Sequence, residues 1–418
     1  MNMLLLAWQS LSNRRLTAIL TIFSIAISVA LLLGVSQVRE QTKQSFTRTV
    51  SGTDLIVGAR SSQVNLLLYS VFRIGNATNN IDWQSYQMVK NHRAVKWTIP
   101  LSLGDSHRGF RVLGTNQNYF TYLRYGKKQP LSFAKGWPFQ GLFETVIGAE
   151  VAQKLGYQVG DHIIIAHGIS DQAFNRHDNL PFTIVGILNP TGTPVDKSVH
   201  VSLEAIEAIH VGWQSGAKIG QTPSQSELAN HPFQPKQLTA VMVGLNSRVQ
   251  AFALQRQLNQ YRGEALSAIL PGVALQELWQ MMNIAEKALT MVSVFVVIAG
   301  LLGMLTSMLT SLNERRREMA ILRAMGARPK HIYWLLCSEA LLLSTLGIAL
   351  GIALLMLTIT GLSPWVLNQF GLALSTQWPT QTEWLILLVV LIIGTLVGLI
   401  PARRAYRQSL ADGMNIRL

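Results

Sequence analysis

Four stretches of this chain decide its environment before any detail of its fold. Leu16–Val35, Leu289–Leu312, Leu335–Thr360 and Trp384–Ile400 are almost purely apolar, Glu339 being the one carboxylate among them. An α-helix rises about 1.5 Å per residue, so roughly 20 apolar residues cross a hydrocarbon layer ~30 Å thick. Composition agrees. Only 13% of the 418 residues are charged and 49% are hydrophobic, where a soluble domain carries roughly 25% charged residues. Arg14 and Arg15 precede the first window as in a signal peptide. That window is longer than a signal core of about 7–15 residues and no A-x-A site follows, so it reads as an anchor.

The expected fold class is a membrane protein of four transmembrane α-helices with a large α+β domain inserted between the first and second. The expected divisions are an amphipathic helix at 1–15, a first span at 16–38, the outer domain with its stalks at 39–280, and a stalk with the second span at 281–312. A cytoplasmic helix and loop follow at 313–334, then a third span at 335–360, an outer loop at 361–382, a fourth span at 383–401 and a tail at 402–418.

Orientation follows from the excess of Lys and Arg in cytoplasmic loops. Arg14 and Arg15 lie at the N-terminus, Arg315, Arg316, Arg317, Arg323, Arg328 and Lys330 after the second span, and Arg403, Arg404, Arg407 and Arg417 in the tail. Residues 361–382 contain neither Lys nor Arg. Both termini are therefore expected inside and the large domain outside. The net charge of +14 belongs to this asymmetry, which argues against nucleic acid as a partner. The single cysteine, Cys337, starts the third span, so the outer domain is expected to fold without disulfides.

Within the outer domain, DLIVGA, VKWTIPLSL, FRVLG, ETVIGAE, DHIIIAH, FTIVGIL, SVHVSL and TAVMVGL read as short strands bounded by turn residues. Helices are expected at 81–91, 150–155, 203–209 and 248–261, and a loop at 215–235. From Val273 to Leu312 the pattern predicts one long helix.

Catalytic chemistry is sparse. There is no G-x-x-x-x-G-K-[ST], and Gly126-Lys127-Lys128 lacks the residues on both sides that would cradle a phosphate. Neither H-E-x-x-H nor G-x-S-x-G occurs. His162, His167 and His177 with Asp161, Asp171 and Asp178 match no zinc-ligand spacing and read as solvated loop residues. Asp54 with Asp82, and Glu144 with Glu150, read as surface carboxylates. No catalytic residue and no metal site is expected. In the spans, Gly347-x-x-x-Gly351 and Gly394-x-x-x-Gly398 suit close helix approach, within the chain or across a dimer. Glu339 is open to a structural ion pair or a proton relay.

The densest charge lies in NERRREMAILRAMGARP, residues 313–329. Asn313 is placed to cap a helix with Glu314 in its first turn. Met319, Leu322 and Met325 then recur every three residues, while Arg315, Arg316, Glu318 and Arg323 fall largely off that stripe. Glu314 and Arg317 are spaced to support each other. Gly326 is a natural stop, and Pro329 suits the first turn of the next helix. A basic anchor on anionic lipid would account for the arginines. The methionine face and the abrupt stop point instead to a helix that docks on protein.

This segment, followed by CSEALLLSTLGIALG and closed by PARRA at Pro401–Ala405, resembles the FtsX-like permease domain over residues 283–410. That domain belongs to the ABC superfamily of macrolide exporters, lipoprotein-releasing permeases and the cell-division permease. LAWQSLSNRRLTAILT is similar to the family's N-terminus, and VIGAEVAQKLGYQVGD and FTIVGILNPTGTPVD resemble its periplasmic core domain. The tail SLADGMNIRL departs from the usual ending, and SGTDLIVGAR with LLLYSVFRIGN suggests a distinct subgroup.

The resemblance implies an inner-membrane permease subunit, not itself an enzyme, that passes motion to its periplasmic domain. Glu314, Arg315, Arg316, Arg317, Glu318, Met319, Leu322, Arg323, Met325 and Gly326 would form the contact with a cytoplasmic ATPase dimer. ATP and Mg would be bound by that partner, expected as a separate chain, and no cofactor by this one. A second permease subunit, identical or not, a periplasmic adaptor or substrate-binding protein, and membrane lipid are the other partners it allows. The substrate would be periplasmic or in the outer leaflet: a lipoprotein, lipid, peptide or drug. The alternative is a transmembrane regulator that transports nothing and activates a periplasmic partner such as a cell-wall hydrolase.

Overall fold

The computed structural model describes residues 3–49, 51–167, 179–214, 217–218, 224–229, 231–314, 321, 324–370 and 374–407. The chain divides into two compact units: Met1–Gln41 with Asn283–Gln369 and Leu374–Leu418, and Thr42–Met282 with Phe370–Ala373.

Among the described residues, four helices are long and apolar enough to cross a membrane, within Arg15–Thr49, Pro271–Leu312, Lys330–Val366 and Gln381–Arg404. Ile25, Val29, Leu33, Met304, Met308, Leu336, Leu343 and Leu387 pack together inside the first unit. Leu16, Leu20, Phe23, Leu357, Leu388 and Ile392 point outward and exposed. Helices apolar on both inner and outer faces are those solvated by lipid. A short helix, Met3–Asn13, precedes the first span.

Two boundaries differ from the sequence expectation. Asn313 does not open a new helix: the second long helix runs unbroken from Pro271 to Glu314, so Asn313 and Glu314 lie in its last turn. Adding a residue to an existing helix costs far less than nucleating another, and one Asn does not stop it. The third helix spans Pro329–Phe370 rather than ending at residue 360, with Pro364 inside it. The stretch between the third and fourth long helices is correspondingly shorter. Its far end carries a capping box, in which the Thr380 side chain accepts from the Glu383 backbone N–H and the Glu383 carboxylate accepts from that of Thr380.

The second unit is built on one mixed sheet. Its main strands are β1 (Leu55–Ala59), β2 (Val95–His107), β3 (Phe110–Thr115), β4 (Phe133–Gly136), β5 (Glu144–Ile147), β6 (Phe182–Leu188), β7 (Ser198–Ser202), β8 (Ala240–Leu245) and β9 (Leu266–Ile269). They lie in the order β9-β1-β8-β2-β3-β7-β5-β6-β4. Pairs β3–β7 and β5–β6 are parallel and the rest of that path antiparallel. Strand alternation sorts side chains to opposite faces. Leu55 and Val57 join a core with Tyr86, Leu254 and Leu258, while Ile56 joins one with Leu66, Leu67 and Tyr69. The long strand β2 links the two halves, pairing with β8 along Val95–Leu101 and with β3 from Ser102 onward.

DHIIIAH is not one strand but two short pieces. His162–Ile163 pairs with β6 and Ala166–His167 with β2, because the segment changes partner midway. The helices at Trp83–Lys90, Ala149–Leu155, Leu203–Ile209 and Ala251–Asn259 lie within a few residues of expectation.

Candidate functional site

The turn between the second and third spans begins where the long helix ends at Glu314. Arg315, Arg316, Arg317, Glu318, Met319, Leu322 and Arg323 lie outside the described residues. Beyond them the Met325 N–H donates to the Ile321 carbonyl at 3.0 Å, one helical turn back. Gly326 follows with φ +96°, the left-handed conformation that ends a helix. Ile321 and Met325 are 53% and 73% exposed, so this turn presents apolar side chains outward. The next helix starts where the Arg328 N–H donates to His331 Nδ1 at 3.1 Å.

The span glycines are used within the chain. A Cβ on Gly347 would lie 2.6 Å from Ile25 Cγ2, and one on Gly351 would lie 2.8 Å from the Ala26 carbonyl oxygen. Those contacts seat the third span on the first. On the fourth span, Gly394 faces Ser344 Oγ and Gly398 faces Ala340 Cβ of the third. Small residues let backbones approach until dispersion contacts accumulate. Polar side chains join the first span to the second: Ser28 Oγ donates to the Val296 carbonyl at 3.0 Å, and Thr21 and Ser307 hydroxyls meet at 3.2 Å. Arg39 and Glu286, on the continuations of the same two helices, pair at 2.8 Å. Glu339 is buried inside this unit.

In the second unit Asp54, Glu144 and Glu150 each have a local structural task. Asp54 accepts from the Leu245 N–H at 2.9 Å and from Arg248 at 3.2 Å. Glu144 accepts from the backbone of Gln140 and Gly141, and Glu150 pairs with Lys154. Asp82 stands before the helix Trp83–Lys90 without a side-chain capping bond, and its Oδ1 accepts from Gln237 Nε2 at 3.3 Å. His162 pairs through its backbone with Thr183, and His167 with Asp105. His177, Asp171 and Asp178 lie outside the described residues. Among the described residues no group of three His, Cys, Asp or Glu side chains is placed to hold a metal.

Sequence reading did not find the polar chain inside this domain. Arg73, at φ +60° after a wide helical turn, donates to the Ser70 carbonyl and bonds Tyr119. The Tyr119 hydroxyl lies 3.3 Å from His200 Nε2, and His200 Nδ1 lies 3.1 Å from the Val146 carbonyl. A neutral His200 completes the chain, donating from Nδ1 and accepting at Nε2. Burial, with Arg73 adding repulsion, lowers the imidazole pKa to about 3, while burial raises that of the Tyr119 phenol. The one signal in the sequence was a histidine amid the apolar residues of SVHVSL.

Residues 18–261 match the family described as MacB-like periplasmic core domain, and residues 290–410 that described as FtsX-like permease C-terminal. A macrolide export ATP-binding/permease protein MacB 1 of Yersinia pestis bv. Antiqua is 22% identical over 98% of this chain. The namesake in Escherichia coli O1:K1 / APEC is 35% identical over 130 residues, 30% of this chain and 19% of its own length. The chain spans about 60% of the length of the Yersinia relative. The crystal structure of the periplasmic region of MacB from Actinobacillus actinomycetemcomitans aligns over 56% of this chain and 94% of its own. At 9% identity and a TM-score of 0.34 that alignment is too loose to equate the folds. Four apolar helices and a core-domain match over more than half of its length place the chain in the FtsX-like ABC transporter permeases that carry a MacB-like periplasmic core domain.

Proposed function

We propose that this permease carries ATP-driven motion from a cytoplasmic ATPase to its periplasmic domain, and so moves a periplasmic or outer-leaflet substrate. The observation that carries this reading is the length of two helices. Arg15–Thr49 has 35 residues and Pro271–Glu314 has 44. At about 1.5 Å per residue they extend ~52 and ~66 Å, well beyond a ~30 Å hydrocarbon layer. A continuous helix is a stiff rod whose displacement at one end is felt at the other. The Arg39–Glu286 pair and the serine and threonine contacts hold the two rods together.

The push would enter through residues 314–326, where Ile321 and Met325 offer an adaptable apolar face. ATP and Mg would be held by the ATPase, since this sequence has no phosphate-binding loop. A second permease copy would complete the pair of coupling sites for an ATPase dimer. Both termini would lie in the cytoplasm of an inner-membrane protein, by the distribution of Lys and Arg. The relatives' names make a drug-like amphiphile one cargo class, beside lipoprotein, lipid and peptide.

The test is to purify the full chain from its native membrane with the Met319→Asp and Leu322→Asp pair, against the unaltered protein. Co-purifying ATPase activity is expected to fall roughly tenfold or more, the effect of removing two apolar anchors, with the thermal transition in detergent unchanged. Undiminished activity overturns the coupling assignment.

A further inference from the structure

We propose that the periplasmic domain binds a small solute through a carboxylate or phosphate group, in the pocket walled by Tyr69, Asn76, Asn80, Leu103, Gly104 and Arg111. The cavity measures about 380 Å³, at the small end of organic-ligand sites and far larger than a bare ion needs. Much of its wall comes from LLLYSVFRIGN and the residues just after it.

Arg111 is the charged group of the pocket. Its Nη1 donates to Asn76 Oδ1 at 3.1 Å and its Nη2 to the Gly75 carbonyl at 2.9 Å. Both acceptors are neutral, and a guanidinium has five N–H donors. Among the described residues no carboxylate forms an ion pair with Arg111 or with Arg73. Arg73 is near enough to repel it, and the Arg73 Nε is enclosed without an acceptor. Two guanidinium groups thus repel each other with, among the described residues, no carboxylate paired to either. Burial, and then repulsion from Arg73, push the pKa of Arg111 down. The wall offers no compensating charge, because burial pushes the Tyr69 phenol up to about 12 and keeps it neutral. An oxyanion entering here would relieve the repulsion and meet a planar donor fork shaped for paired oxygens.

The backbone leaves room for it. Gly104 sits where β2 shifts register between Leu103 and Ser106, and a Cβ built there meets nothing within 4 Å. Gly75, at φ +76°, is equally open. Asn76 and Asn80 place amide donors and acceptors along the wall, suiting the polar body of a solute whose acidic end reaches Arg111. Anion binding here would stand whether or not the chain couples to an ATPase.

The full chain in lipid nanodiscs is to be titrated calorimetrically with succinate and with glycerol 3-phosphate, glycerol serving as the neutral control. One saturable site is expected for at least one anion and none for glycerol; the anion that binds identifies the acidic group. Arg111→Gln should weaken binding roughly tenfold or more, the range for losing a charge-assisted hydrogen bond, and Arg111→Lys less. Gly104→Trp should fill the cavity and abolish binding with the melting transition unchanged, which decides the matter if Arg111→Gln does not fold. Failure of both anions to bind, or binding undiminished in Gly104→Trp, overturns the proposal.

Discussion

Arg14 Nη1 donates to the carbonyl oxygen of Ser311 at 3.1 Å, across 297 residues of sequence. Arg14 sits at the joint between the short N-terminal helix and the first span, and Ser311 in the last turn of the helix ending at Glu314. The last carbonyls of a helix lack internal donors and carry the negative end of its dipole. A guanidinium there satisfies both needs and holds these ends of two spans together. Arg14→Gln is expected to cost about 1–2 kcal/mol, seen as a lower thermal transition of the full chain in detergent. Arg14→Lys should retain part of the difference. Equal stability in all three proteins would mean the contact contributes nothing net.

The glycines of the third span make a sharper forecast. A methyl on Gly351 would meet a backbone oxygen, Ala26 O at 2.8 Å, and Val29 Cβ at 2.9 Å. Neither is the tip of a flexible side chain, so the helices must separate. Gly351→Ala should destabilise by about 1–3 kcal/mol, the cost of overpacking. Gly361→Ala, where nothing lies within 4 Å of a new Cβ, should be neutral or gain up to ~1 kcal/mol from helix propensity. Thermal unfolding of the two variants side by side checks the contrast.

The buried chain through His200 predicts an acid sensitivity of the periplasmic domain. The folded protein holds this imidazole neutral down to about pH 3, whereas the unfolded chain protonates it near pH 6.5. Between those values the unfolded state binds more protons, so stability falls as pH drops, by at most about 1.4 kcal/mol per unit. Above pH 6.5 the contribution is flat. His200→Gln should be less stable at neutral pH and lose that slope. Urea unfolding followed by tryptophan fluorescence at pH 7, 6 and 5 measures it, and parallel curves would clear His200 of the effect.

Local pattern was informative wherever one residue's environment depends on its near neighbours. The run DLIVGA reads as a strand, and its successive apolar residues Leu55, Ile56 and Val57 do part to two cores. The helix Leu203–Ile209 follows directly from Ser202, whose hydroxyl accepts from the Ala205 N–H. Pattern was silent where a partner supplies the structure. Phe133–Gly136 and Leu266–Ile269 are strands because β6 and β1 lie beside them. Asn313 looked like a helix start because it is polar after an apolar run, but a cap matters only where the preceding helix stops. The Thr380–Glu383 box, which sequence reading passed over, marks a true start.

Hydropathy alone committed four segments to lipid, because transfer free energy sums over neighbouring residues and needs no knowledge of the fold. Residue identities alone likewise excluded a phosphate-binding loop and marked the turn at residues 313–329 as unusual. Where the span glycines are used, how Arg73, Tyr119 and His200 form one chain, and that Arg111 faces an open pocket belong to a different order of fact. Close contact and local potential are relations between groups that the sequence keeps far apart, and folding alone brings them within a few ångströms.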